Sequence, residues 1–294
     1  MASDYIPAFA DFFSTKNLEM LAWHGRSDVA DHCSSLAAAR GLLREPRPTL
    51  GGLAEALFRG LSKHCRVEYL FKSVALNRIL YGRHSPNTVG FFFEMAVGES
   101  RADIVVVNGR GRVIEVKTDR DDLTRLPMQL GDYFKCFGEV ALFVERSRAE
   151  HVTRLLPEEV GVVTMSSRQY MTWVRRPRET LERLEHEPLY RLLRRKEVDH
   201  LLESAGKSVP DVAPAERWDA CLEVFETFSL PRACRLTHDM LKRRRDTRVR
   251  ASASVGFPAS MRAAVFGARM TAADWRALQA RMDEAYTPSP PHRS

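Results

Sequence analysis

Two carboxylates and an ammonium group are clustered in the middle of the chain. Glu115 and Lys117 are separated by a single valine, and Asp103 precedes them across the dipeptide Asn108-Gly109. Carboxylate oxygens are ligands that Mg²⁺ and Mn²⁺ accept readily. A nearby ammonium can stabilise the charge that grows on a phosphate when water attacks it. These residue types in this pattern predict metal-dependent hydrolysis of a phosphodiester bond.

The flanking residues predict a β-hairpin that would position these groups. Residues 102–108 and 112–118 are rich in Val and Ile and predict two strands, and Asn108-Gly109 predicts a type I′ turn between them. Because side chains alternate along a strand, Glu115 and Lys117 should share one face. Pairing across the turn would bring Asp103 alongside Glu115, where one ion could bind both carboxylates and the backbone carbonyl of Val116.

Glu-x-Lys alone is common, and the alternative interpretation is that it forms a solvated strand face without a function. Here the motif lies in an apolar run, where an unpaired carboxylate and ammonium would be costly. An aspartate in the preceding strand, followed by Glu-x-Lys across a tight turn, is also much rarer than the motif alone. Both observations favour the functional interpretation.

The elements before and after the hairpin predict an α/β core. A helix is predicted over about 66–81, followed by a strand at 91–97, and Thr124 is the predicted N-cap of a helix with Pro127 in its first turn. Two more strands are predicted at 140–144 and 160–164.

Helices are predicted on both sides of this core. Residues 1–44 and the segment capped by Thr49 have helical spacing, and from Ser167 onward the chain is predicted to be almost entirely helical. This half includes a basic, polar stretch from Lys242 to Ser254, and Thr271 is the predicted cap of a last helix.

The net charge of +7 is unevenly distributed along the 294 residues. Residues 1–163 contain 21 basic and 21 acidic side chains, whereas residues 164–294 contain 24 and 17. Arginine, which matches phosphate bidentately, supplies 37 of the 45 basic residues, although a GC-rich genome would give the same bias. The charge permits a nucleic-acid partner, and the basic half is the expected place for it.

The sequence has few features of exported or membrane proteins. It contains neither an apolar run of about 18 residues nor a signal-like start. Its five cysteines are scattered and include no C-x-x-C pair, so a disulfide framework and a structural zinc site are not indicated. We therefore expect a cytoplasmic protein.

The run Gly98-x-x-Arg101-Ala102-Asp103, with Glu115-Val116-Lys117 after it, resembles the core of the PD-(D/E)XK nuclease superfamily. Gln129-x-x-x-Tyr133 is similar to the Q-x-x-x-Y motif of its RecB-like branch. More closely, residues 80–144 resemble a little-characterised bacterial and phage-associated family of small PD-(D/E)XK proteins. The resemblance covers roughly residues 66–165. It departs from the superfamily name in one respect, because Ala102 replaces the proline.

The resemblance implies a role for each matching residue. Asp103 and Glu115 would be metal ligands, and Lys117 would orient the attacking water or stabilise the transition state. Gln129 would contact a substrate phosphate or that water; the alternative is that it is an exposed amide on a helix. Many such enzymes take a further acidic ligand, for which Glu94 is the first candidate because it interrupts an apolar strand. The implied substrate-binding residues are Arg101, Arg125 and Tyr133, with pairing to a carboxylate as the alternative for Arg101.

The residue patterns predict an α/β protein, and the resemblance implies a restriction-endonuclease-like core of helix, three-strand meander, helix and strand, with which the predicted strand order agrees. The predicted segments are a helical extension (1–65), the nuclease core (66–165), a helical region (166–285) and a disordered tail (286–294). The expected function is an Mg²⁺- or Mn²⁺-dependent nuclease acting on DNA, in phage conflict or DNA processing, with homodimer formation left open. The alternatives are a non-cleaving nucleic-acid-binding protein on the same scaffold, and a protein–protein regulator that uses its helical half.

Overall fold

The computed structural model describes residues 5–64, 67–83, 88–119, 121–166 and 168–288. The chain divides into two compact units. The first combines Met1–Arg83 with Arg248–Ser294, and the second is His84–Thr247. Residues 84–87, which belong to the stretch that carries the resemblance, and 289–294 of the predicted tail lie outside the described residues.

The first unit is helical and has its own core, built from both ends of the chain. Thr49 pairs with Ala285 in an isolated β-bridge, and buried side chains from both segments, such as Phe9, Leu57 and Leu278, form one apolar cluster. Its helices are α1 (Ile6–Asp11), α2 (Thr15–His24), α3 (Asp28–Ala39), α4 (Leu50–His64), α5 (Glu68–Ala75), most of α12 (Arg245–Val255), α13 (Arg262–Gly267) and α14 (Ala272–Arg281).

Several of these helices begin where the sequence places a capping side chain. The Thr49 hydroxyl accepts the amide of Gly52 at the start of α4. Thr271 and Asp274 form a reciprocal capping box at the start of α14. Both caps agree with the sequence predictions. The helix predicted over 66–81 continues after α5 as a π-helical turn, Leu76–Tyr81.

The second unit contains a six-stranded mixed sheet in the order β1-β2-β3-β4-β5-β6. The first three strands form an antiparallel meander, β3, β4 and β5 are parallel, and β6 returns antiparallel to β5. The molecule therefore has a mixed α/β fold, as predicted. The strands are β1 (Gly90–Val97), β2 (Ser100–Asn108), β3 (Arg110–Lys117), β4 (Glu139–Val144), β5 (Gly161–Met165) and β6 (Met171–Arg175).

Helices of the second unit share a buried core with one face of the sheet. Val113, Leu142 and Val162 from three parallel strands cluster with side chains of α6 and α7, the two crossover helices. A single 3₁₀ turn, Arg146–Arg148, leads into α7. The helices of this unit are α6 (Leu126–Phe134), α7 (Ala149–Leu155), α8 (His186–Arg191), α9 (Arg195–Ser204), α10 (Arg217–Glu226) and α11 (Leu230–Lys242).

One prediction for the second half of the chain was wrong. The region after Ser167 is not almost entirely helical, because β6 forms the edge of the sheet. Its half-exposed residues leave no apolar stripe, but Thr172, Trp173 and Val174 are typical strand formers. The basic stretch from Lys242 to Ser254 is mostly the helix α12.

Two local predictions near the hairpin were also wrong. A type I′ turn needs a positive φ at both central residues. Of Asn108 and Gly109, only Gly109 has one, of 73°. Asn108 pairs with Arg110, so the turn is tighter than type I′. Thr124 does not cap α6. Its hydroxyl donates to Asp122 instead, at 2.6 Å, and Arg125 occupies the N-cap position. Pro127 does lie in the first turn, where its missing amide costs little.

Within the described ranges, no helix has the length and apolarity that crossing a membrane requires.

His238 of α11 is buried against the hairpin. Its ring stacks on Phe137, with 5.2 Å between centroids, and Nε2 lies 3.1 Å from the carbonyl oxygen of Cys136. A Cβ at Gly111 would overlap the ring, so the glycine is required there. Burial lowers the pKa of His238 to about 4, because the charged imidazolium is poorly solvated in this site.

We expect this histidine to make folding stability pH-dependent. Its folded-state pKa lies below the unfolded value of about 6.5, so the unfolded chain binds the extra proton and stability falls as the pH drops from 6.5 to 4. The shift corresponds to about 3 kcal/mol. Urea denaturation across this range should show a shallower loss for His238→Gln than for the wild type. Equal slopes for the two proteins would contradict the assignment.

Candidate active site

Glu115, Lys117 and Gln129 form a closed ring of hydrogen bonds. Lys117 Nζ donates to Glu115 Oε1 and to Gln129 Oε1, each at 3.0 Å. Gln129 Nε2 donates to Glu115 Oε1 at 2.7 Å. The exposed fractions of Glu115 and Lys117 are only 2% and 9%. The predicted carboxylate and ammonium are therefore buried together, and one amide holds both.

Helix α6 positions Gln129 over β3. Pro127 fixes the first turn of this helix, and Leu130 and Phe134 anchor it in the core of the sheet. Gln129 and Tyr133 are four residues apart and lie on the same side of the helix. The fold thus brings the Q-x-x-x-Y pair onto the Glu-x-Lys strand.

Tyr133 completes the contacts of Glu115. Its Oη lies 2.8 Å from Glu115 Oε2 and 3.0 Å from the carbonyl oxygen of Arg101. The ring is fully buried. Burial and the adjacent carboxylate raise the pKa of Tyr133, so its hydroxyl remains protonated and donates. A side chain in this position orients Glu115, whereas the resemblance implied that it binds substrate.

Asp103 lies where β2 and β3 separate. Their ladder ends at the pair Ile104–Ile114. One residue beyond it, the Asp103 carboxylate Oδ2 accepts the backbone amide of Val116 at 2.8 Å. Asp103 is also close enough to Tyr133 for its charge to raise the pKa of that hydroxyl. The aspartate thus accepts a hydrogen bond from a backbone amide of the Glu115-Val116-Lys117 segment, at a position where β2 and β3 no longer pair.

Glu94 lies opposite Asp103 on the neighbouring strand. The flanking pairs Phe93–Ile104 and Met95–Ala102 fix this register. Glu94 has a φ of 53°, which is unusual for a residue other than glycine. Its carboxylate offers an oxygen within 4.8 Å of an oxygen of Asp103. The strand pairing therefore brings together two of the predicted metal ligands.

The two arginines predicted to bind substrate have exposed side chains. Arg101 is on β2, two residues before Asp103, and Arg125 precedes the first residue of α6. Substrate binding by these two residues stays a prediction.

Two polar contacts that the sequence did not predict support the site. Arg148 donates to the carbonyl of Thr118, directly after Lys117. Ser100 donates to Asp132 of α6 at 2.6 Å, which fastens the β1–β2 turn to the helix that carries Gln129. Both contacts join segments that are distant in sequence, and no local pattern indicates them.

Comparison with known families shows to which family the chain belongs. The family model described as bacteriophage P4 protein cII matches residues 62–252, more than half of the chain. The protein belongs to this family. The match to the cII family includes the whole sheet and the ring of Glu115, Lys117 and Gln129. No curated protein matches the chain.

One solved structure is similar to part of this cII-family chain. It is a protein of unknown function from Silicibacter pomeroyi. The two share 19% sequence identity over 54% of this chain and 82% of that one, with a TM-score of 0.30.

We expect the Tyr133 hydroxyl to contribute to stability through Glu115. Tyr133→Phe should lower the free energy of unfolding by about 2 kcal/mol, because a buried carboxylate loses one of its donors. Urea denaturation at pH 7 measures the change. Tyr190→Phe is the matched control, since that hydroxyl is 3.4 Å from its carbonyl partner and should contribute less. Equal losses for the two variants would contradict the prediction.

Proposed function

We propose that this cII-family protein is a metal-dependent nuclease that hydrolyses phosphodiester bonds of DNA. The observation that carries the proposal is the buried ring of Glu115, Lys117 and Gln129. Burying a carboxylate and an ammonium costs free energy that apolar side chains would not. A protein that uses both groups in chemistry has a reason to keep them.

The donor atoms around the ring suit a hard divalent cation. The carboxylates of Glu94 and Asp103 approach each other, and carboxylate oxygens are suitable ligands for Mg²⁺ or Mn²⁺. We propose that Asp103 and Glu94 hold the ion, together with Glu115 and the carbonyl of Val116 from the sequence prediction. Such an ion lowers the pKa of a bound water and offsets charge on the phosphate.

The side chains of the ring would divide the remaining work. Lys117 would place its ammonium at the attacked phosphate, where growing negative charge needs a partner. Gln129 would act as a positioning residue, because its amide already contacts Lys117 and Glu115 at 3.0 and 2.7 Å. Tyr133 would hold the second oxygen of Glu115. Exposed Arg101 and Arg125 would bind phosphates of the substrate.

The order of the elements supports a restriction-endonuclease-like core. The antiparallel meander β1–β3 leads through α6 to the parallel strand β4. Asp103 and Glu115 lie on adjacent strands of the meander, and Gln129 and Tyr133 on the crossover helix. We infer a PD-(D/E)XK nuclease core from this arrangement. Roles in phage conflict or DNA processing, a cytoplasmic location and homodimer formation stay predictions.

Lys117→Ala should lower the rate of cleavage strongly. Removal of a charged group that acts on the transition state typically lowers the rate by about 100- to 1,000-fold. The measurement is cleavage of plasmid, linear and single-stranded DNA and of RNA, with Mg²⁺, Mn²⁺ or EDTA. Lys196→Ala, which changes an exposed lysine of α9, is the matched control and should cut like the wild type. Circular dichroism verifies that Lys117→Ala is folded.

The same panel separates the alternatives. Cleavage that persists in EDTA or in Lys117→Ala would refute the mechanism. Binding without cleavage under all metals would favour a nucleic-acid-binding protein on a nuclease scaffold. The absence of nucleic-acid affinity at low salt, where phosphate contacts are strongest, would favour a protein–protein regulator.

A further inference from the structure

An apolar groove lies between α6 and α7, on a different side of α6 from Gln129 and Tyr133. Its volume is about 470 Å³, within the range typical of small-molecule sites. Leu126, Leu130 and Phe134 of α6 form one wall, and Val152 and Leu155 of α7 form the other. Such walls favour an apolar ligand.

Gly131 keeps the floor of the groove open. A Cβ at this position would meet no described atom within 4 Å. Its φ lies outside the left-handed region, unlike that of Gly41, Gly109 and Gly206, which also have open space. Glycine within a helix costs about 1 kcal/mol relative to alanine. Neither the backbone conformation nor the packing around residue 131 therefore requires a glycine. The missing side chain leaves space above α6.

One exposed apolar side chain lines this space. Leu155 is 62% exposed, so an apolar ligand in the groove would cover part of its surface.

Arg183 is the charged residue among those that line the groove. Its guanidinium lies 5.0 Å from the ring centre of Phe134, and Nη2 donates to Glu159 Oε1 at 2.6 Å. The side chain is still 51% exposed. A guanidinium has five donor hydrogens, so it can bind a second acid beside Glu159.

We infer that the groove binds a small amphipathic anion, with an apolar body over Gly131 and a single carboxylate on Arg183. A medium-chain fatty acid belongs to this class. The groove is too small to bury the area of a stable protein interface, which exceeds about 1,000 Å². This inference goes beyond the nuclease proposal and does not depend on it. Because α6 also carries Gln129 and Tyr133, a bound anion would contact the helix that orients Glu115 and Lys117.

Calorimetric titration of the full chain with decanoate, below its micelle concentration, tests the site. We expect saturable binding with one site per chain. Decan-1-ol, which lacks the carboxylate, should bind about tenfold more weakly because it loses a charge-assisted hydrogen bond. Decyltrimethylammonium, with the same chain and the opposite charge, should not bind.

Two variants at Gly131 locate the binding. Gly131→Leu fills the space above α6 and should abolish decanoate binding, with circular dichroism like that of the wild type. Gly131→Ala is the matched control. It should bind within about threefold of the wild type and melt about 2–4 °C higher, because alanine favours the helix. Undiminished binding by Gly131→Leu would overturn the inference.

Variants at Arg183 test the anchor. Arg183→Gln should weaken decanoate about tenfold and leave decan-1-ol unchanged, while Arg183→Lys should restore part of the difference. Equal affinities of decanoate and decan-1-ol for the wild type would overturn the inference. So would the absence of decanoate binding. Cleavage assays play no part in these readouts, so failure here is distinct from failure of the nuclease proposal.

Discussion

The buried ion pair of Glu115 and Lys117 is the constraint on which the surrounding structure depends. Moving two charges from water into a protein costs several kcal/mol for each ion unless their hydrogen-bonding capacity is met. Here Gln129 and Tyr133 contribute the missing partners. The helix that carries them must therefore lie over β3, and the crossover connection to β4 places it there.

Helix α6 therefore contacts a charged environment on one side and an apolar environment on another. Gln129 and Tyr133 face the charged strand, whereas Leu126, Leu130 and Phe134 meet the apolar core and the groove toward α7. The Ser100–Asp132 hydrogen bond joins the helix to the β1–β2 turn as well. A shift of α6 would thus alter several contacts of Glu115 and Lys117 at once.

Much of this arrangement was predictable, because local periodicity determines it. Strand alternation placed Glu115 and Lys117 together, and helical spacing paired Gln129 with Tyr133. The approach of that helix to Glu115 depends on tertiary packing, so the sequence did not reveal that Tyr133 orients the carboxylate. The edge strand β6 was missed for a related reason. Its residues lack a clear apolar face, which is the signal that sequence patterns carry best.

Because β2 and β3 separate at Asp103, this residue has a structural role besides its proposed binding of an ion. Its carboxylate accepts the Val116 amide at the point where strand pairing has stopped. Replacing it would leave that amide without this acceptor and loosen the segment that presents Glu115. Loss of activity in an Asp103 variant would therefore not distinguish the proposed ion binding from an altered backbone.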